Sequence, residues 1–231
     1  MKRRNFLGSS ALGVSGGALS MAAPPNVYRE PARDLPIVET CDVIVCGGGP
    51  AGVAAAISAA RAGAATRLFE VHNCLGGIWT AGLLSNIIDC FDKGGIMAEI
   101  LRRLKASGAQ IDAARYDAEA MKLLLEQMCQ EAGVKFLYHT RVVAAAKDGG
   151  RITTVLTENK SGRQAWQAPV FIDTTGDGDL GALSGCKFDY GDPEAGRAQP
   201  MTLMAILMGV SYRELHQRGL MRGDGKSSYG K

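Results

Sequence analysis

The fold is decided by Cys41-Asp42-Val43-Ile44-Val45-Cys46-Gly47-Gly48-Gly49-Pro50-Ala51-Gly52. A mostly apolar run passes straight into glycines, and the glycines pass into an alanine-rich segment. The pattern reads as strand, tight turn and helix. Gly47, Gly49 and Gly52 fit G-x-G-x-x-G. Gly47 permits the sharp turn, Gly49 lets a backbone approach a pyrophosphate, and Gly52 lets the helix pack closely on the strand. Phosphates are expected at the helix start, at Pro50 and Ala51, where free N–H groups and the positive end of the helix dipole meet them. Pro50 suits the first turn because its missing N–H is not needed there.

The context strengthens the motif. The helix expected over Ala51–Ala62 is built almost wholly of small residues, and Gly63 stands where a C-terminal glycine belongs. A second strand, Ala65–Glu70, ends in an acid about 20 residues beyond the glycines. A carboxylate there accepts a hydrogen bond from a ribose 2′-OH and repels a 2′-phosphate. Val71 continues the chain past it.

The N-terminus reads differently. Met1-Lys2-Arg3-Arg4-Asn5-Phe6-Leu7 opens a weakly apolar run through Met21, followed by the small-x-small site Ser20-Met21-Ala22. Basic start, apolar middle and small-residue cleavage site make a secretory signal. The arginine pair before Asn5-Phe6-Leu7 resembles the twin-arginine type, which exports folded proteins. Residues 1–22 are therefore read as a signal peptide, with the twin-arginine export machinery as partner and a periplasmic or secreted destination. The run is too rich in Gly and Ser for a stable membrane span. Without Lys2, Arg3 and Arg4 the formal charge of +3 falls to zero, so nothing points to nucleic acid.

About 209 residues follow residue 22, enough for one domain or one and a part. The boundaries read as a linker at 23–40, a nucleotide-binding domain at 41–190 and the start of a second domain at 191–231. None of the 6 cysteines forms a C-x-x-C pair or has a spaced histidine, so no metal site is suggested and no disulfide pairing is predicted. Helices are expected at Ile96–Lys105 and Ala118–Ala132, the second capped by Asp117. A strand is expected at Val134–Tyr138, and further strands at Arg141–Ala146, Ile152–Glu158 and Gln164–Ala168 make a small β-meander with turns at Asp148-Gly149-Gly150 and Ser161-Gly162. A further apolar strand enters Asp173-Thr174-Thr175-Gly176-Asp177. Its junction can lie beside the first, because strand ends on one side of a parallel sheet build the ligand crevice. Met201–Val210 reads as a strand by alternation, and Ser211-x-x-Glu214 as a capping box.

This combination resembles the FAD-dependent oxidoreductases of the glutathione-reductase-like, two-dinucleotide-fold superfamily, in particular a bacterial group with twin-arginine signals. The matching blocks are Gly47–Gly52 with Glu70, Leu75-Gly76-Gly77 with Thr80 and Gly82, Gly133–Val142, and Ile172–Asp177. The resemblance implies an α/β, Rossmann-like FAD-binding domain with a parallel central sheet, and FAD as cofactor. It implies that the first glycine block holds the pyrophosphate, that Glu70 holds the adenosine ribose and that Val142 contacts adenine through its backbone. Gly76, Gly77 and Thr80 would approach the ribityl and flavin end, and Thr175, Gly176 and Asp177 the pyrophosphate and ribityl chain. Thr174 stands where that superfamily usually has alanine. The superfamily also continues through a substrate domain, so the chain is expected to be truncated, with an incomplete flavin pocket. The implied reaction is hydride transfer between a small-molecule substrate and flavin, with no catalytic acid or base identified. Two other readings remain open: an NAD-dependent dehydrogenase and a non-catalytic dinucleotide-binding fragment.

Overall fold

The computed structural model describes residues 26–192, 194–204, 209 and 211–219. The chain divides into two units, with the boundary in sequence between Asp34 and Leu35. In the first, residues 26–34 carry no helix or strand, and Arg33 pairs with Glu30 at 2.9 Å. The second unit holds every element named below.

Its centre is β2 (Val43–Cys46), flanked by β3 (Thr66–Phe69), β4 (Lys135–Leu137) and β8 (Val170–Asp173). These four strands form one parallel sheet in the order β4-β3-β2-β8. All four residues of β2 are buried. Val43 and Val45 face a core shared with the helices α1 (Pro50–Arg61), α2 (Gly95–Ala106) and α3 (Ala118–Glu131), where Ile57, Leu104, Met121 and Leu125 pack. Ile44 and Cys46 face the opposite side, against Phe69, Val142 and Trp166. A strand covered on both faces must be apolar at every position, which is why β2 reads as a continuous run rather than an alternation. Burial pushes the Cys46 and Cys129 thiols up to about 12, so both remain neutral packing groups at ordinary pH.

The second sheet follows the order β1-β7-β6-β5, from β1 (Ile37–Thr40), β5 (Arg141–Asp148), β6 (Arg151–Asn159) and β7 (Gly162–Gln167). β5, β6 and β7 are the expected antiparallel meander. β1 corrects the sequence reading: Ile37–Thr40 lies inside the stretch taken as linker, yet pairs in parallel with β7. Glu39 of β1 binds Arg67 of β3 and, at 2.9 Å, Lys135 of β4, tying the two sheets together. Burial opposes the Glu39 charge, but these two cations outweigh it and hold the carboxyl below its ordinary range.

The helices stop and start where the sequence indicates. Asp117 caps α3 by accepting from the N–H groups of Glu119 (2.8 Å) and Ala120 (3.0 Å). Gly63, just past α1, has φ of +93°, a conformation that favours glycine. Gly178 precedes the short helix α4 (Asp179–Leu183). The N–H of Glu214 points to Ser211 Oγ at 3.4 Å at the start of α5 (Tyr212–Gln217), one of the two bonds of the expected capping box. The expected strand Met201–Val210 is not found where it is described: Met201–Met204 is neither helix nor strand, and residues 205–208 and 210 lie outside the described residues. So does the expected signal at 1–22. No helix among the described residues is long and apolar enough to cross a membrane.

Candidate cofactor site

A cavity of about 990 Å³ opens along the carboxyl ends of β2, β3 and β8. That is where a parallel sheet gathers its loops and presents its crevice. Of the residues singled out from sequence, Gly47, Gly49, Pro50, Ala51, Glu70, Val71, Gly77, Val142, Thr175 and Gly176 line it.

The turn after β2 is fixed by its neighbours. Gly47 donates its N–H to the Phe69 carbonyl at 2.8 Å, and its φ is +104°. A Cβ on Gly47 would lie 2.3 Å from the Thr174 carbonyl oxygen, so the β2 and β8 junctions touch backbone to backbone. Thr174 adds a bond that the sequence reading passed over. Its hydroxyl lies 3.0 Å from the Cys46 carbonyl oxygen and 2.8 Å from that of Gly47, donating to this pair. No side chain caps α1, and Pro50 has no N–H, so the helix presents the backbone donors of Ala51 and Gly52. A Cβ on Gly49 would meet nothing within 4 Å, so space remains open above that turn.

Glu70 is 4% exposed and organises the next junction. Its Oε2 accepts from the Gly48 N–H and its Oε1 from the His72 N–H, both at 2.7 Å. Its own backbone bridges to β4 and to Thr140 just ahead of β5: the Glu70 N–H donates to the Leu137 carbonyl and its carbonyl accepts from the Thr140 N–H, both at 2.9 Å. Charge-assisted bonds of this kind hold the carboxylate in one orientation, with lone pairs left for a ribose.

Four expected site residues do not line the cavity, and each has a structural task instead. Gly52 sits under the turn, where a Cβ would meet the Gly47 carbonyl oxygen at 1.8 Å. Gly76, with φ of +105°, donates its N–H to Gly48 at 2.8 Å and leaves no room for a Cβ, which would lie 2.7 Å from Thr80. Thr80 is fully buried and donates its hydroxyl to the Leu75 carbonyl at 2.5 Å, closing the loop on itself. Asp177 is exposed outside the cavity, while Gly178 and Asp179 line it.

Asp173 also lines the wall. Its Oδ1 accepts from the Thr175 N–H (3.1 Å) and hydroxyl (2.8 Å), and its Oδ2 from the Gly181 N–H (2.8 Å). Trp79 packs against the helical core, and its carbonyl accepts from the Tyr116 hydroxyl at 2.9 Å. His72, Thr140 and Arg141 complete the β5 end, and Gln199, Pro200, Thr202 and Met204 contribute a wall that no motif signalled. His72 and Arg141 each stand beside a residue that the motifs did mark. Among the described residues, no cluster of three or more His, Cys, Asp or Glu is placed to hold a metal.

The family model "FAD dependent oxidoreductase" matches residues 42–228. The chain belongs to this family. The tRNA uridine 5-carboxymethylaminomethyl modification enzyme of Aquifex aeolicus (strain VF5) is 27% identical over 139 residues, 52% of this chain and 22% of that protein. A geranylgeranyl bacteriochlorophyll reductase-like protein from Thermoplasma acidophilum shares the fold at a TM-score of 0.51 and 20% identity, over 64% of this chain and 43% of that one. A flavoprotein/dehydrogenase from Cytophaga hutchinsonii gives a TM-score of 0.51 and 18% identity, over 67% and 44%. The chain thus spans less than half the length of each of these relatives. The cofactor is FAD, and the site fits it. The space above Gly49 is open, the start of α1 has no side-chain cap, and Glu70 stands at the end of β3.

Glu70→Ala is expected to weaken FAD binding by roughly 1–3 kcal/mol, because a carboxylate lining the cavity goes and the Gly48 and His72 N–H groups lose their acceptor. Glu70→Gln should fall in the same direction, since its amide NH₂ would face one of those donors. Titration of folded variants checks this; unchanged affinity in both removes Glu70 from the site.

Proposed function

We propose that this chain is the FAD-binding part of an exported oxidoreductase that transfers hydride between a small-molecule substrate and flavin. The observation that carries the reading is the meeting of two glycine junctions, after β2 and β8, at one cavity beside an uncapped helix start. In this reading the N–H groups of Ala51 and Gly52 hold the pyrophosphate, and Glu70 holds the adenosine ribose. The Val142 backbone meets adenine. Thr175 and Gly176 border the pyrophosphate and ribityl chain, and Gly77 borders the flavin side. Bound FAD supplies the two-electron chemistry, while the protein supplies placement and electrostatics. The loop Leu75–Thr80, anchored at its buried ends and closed by the Thr80 hydroxyl, supports the Gly77 backbone.

The purified protein should bind FAD in a flavin-absorbance titration, and ADP should compete. A protein that ignores FAD and takes NAD instead would sink the reading. For export, replacing both Arg3 and Arg4 by Lys should hold the folded protein in the cytoplasm. Normal appearance of that double variant in the periplasm would show that the arginine pair is not the signal.

A further inference from the structure

Arg141 lines the cavity at the end where β5 begins, together with Val71, His72, Thr140 and Val142. These residues are stitched together across two strand ends. The Thr140 N–H donates to the Glu70 carbonyl at 2.9 Å, and the His139 N–H donates to the His72 carbonyl at 3.1 Å. Thr140 and Val142 are buried, Val142 in the core beside Trp166. Strand alternation turns Arg141 the other way, and its side chain is exposed.

Arg141 has no ion-pair partner among the described residues. Its register partner Glu158 is held instead by Arg163 at 2.9 Å. The other charged residues lining the cavity are Glu70, Asp173 and Asp179, all acidic, and two of them are committed to backbone N–H groups. Arg141 is therefore the one permanent cation on that wall among the described residues.

Its position separates it from the phosphates. The phosphate donors stand at the start of α1, and Glu70 marks the ribose. A dinucleotide laid from α1 past Glu70 brings its base, not its pyrophosphate, to Val71, His72 and Arg141. A guanidinium is planar, weakly hydrated and well suited to lie on a π face. Resting on the FAD-site reading above, we propose that Arg141 is a base-recognition residue whose guanidinium stacks on the adenine of the bound cofactor.

The test compares the full chain with Arg141→Ala and Arg141→Lys, titrated with FAD, ADP and adenosine. Arg141→Ala should lower affinity for all three by one common factor, about fivefold to tenfold. Arg141→Lys keeps the charge but loses the plane, and should recover only part of the loss. Because the side chain is exposed, both variants should melt where the unsubstituted protein does. Unchanged affinity overturns the proposal. So does a loss for ADP and FAD with adenosine unaffected, which would make Arg141 a phosphate contact, or full recovery by lysine. If the unsubstituted protein binds neither FAD nor ADP, the FAD-site reading falls and this proposal with it.

Discussion

Gly52→Ala is expected to abolish measurable FAD binding and to destabilise the protein by about 1–3 kcal/mol or more. The added Cβ would lie 1.8 Å from the Gly47 carbonyl oxygen and 2.8 Å from Thr174 Oγ1. Neither neighbour has room to yield. Gly47 is held by its N–H bond to Phe69 at 2.8 Å and by the Thr174 hydroxyl on its carbonyl at 2.8 Å. Thr174 is in turn fixed to β2 by its own N–H, which donates to Cys46 at 2.9 Å. The strain must therefore move the turn or lift α1, and either shift displaces the backbone donors at the start of α1 that are proposed to hold the pyrophosphate. Gly49→Ala gives the contrast. Its φ is −67° and its Cβ would meet nothing within 4 Å. That variant should fold normally and lose only affinity, by filling cavity space beside the start of α1. Melting temperatures and FAD titrations of the two variants check the pair; Gly52→Ala with ordinary stability and binding would show that the turn adjusts.

The same geometry explains what the sequence could convey. β2 was legible because burial on both faces leaves a continuous apolar run, and the glycines after it answer to local backbone requirements. The meander was legible because Asp148-Gly149-Gly150 joins strands that are neighbours in the chain. β1 was not legible. Ile37 and Val38 are 58% and 44% exposed, so the strand has little apolar signature, and its partner β7 lies more than a hundred residues away. The alternation of Met201-Thr202-Leu203-Met204 misled for the opposite reason. Met201 and Leu203 are both 99% exposed, while Thr202 and Met204 border the cavity, so over 201–204 the pattern marks an outer and a cavity side of a stretch that is neither helix nor strand.

The motif positions divide in the same way. A dinucleotide fingerprint contains residues that meet the ligand and residues that let the backbone pack, and spacing does not separate them. Gly49 and Glu70 border the cavity, whereas Gly52, Gly76 and Thr80 support it from behind. Arg141 escaped notice because a sequence does not show which way a side chain leaves an edge strand when its neighbour Val142 carries the motif.

The other large effect is expected at Trp166, which belongs to no motif but packs against Phe69 and Val142. Trp166→Ala should cost about 3–5 kcal/mol of stability, the scale for truncating a buried aromatic. Trp166 is 2% exposed and fills the space between the two sheets. Its ring meets Phe69 edge-on at 5.0 Å between centroids, and the Arg67 guanidinium lies 5.1 Å from its centre. Its Nε1–H donates to the buried Thr157 hydroxyl at 2.8 Å. Alanine would leave a cavity, an unpaired hydroxyl and a half-buried Arg67 whose Nε already lacks a hydrogen-bond partner. Phe69 is the residue before Glu70, so loss of the ring also loosens the strand end that carries the Glu70 carboxylate, proposed to hold the ribose. FAD affinity should fall along with the melting temperature. Trp166→Phe keeps the packing against Phe69 and should recover most of both, losing mainly the bond to Thr157. Chemical denaturation and FAD titration of the two variants test this. If Trp166→Ala proves as stable as the parent, the two sheets are not held together through this ring.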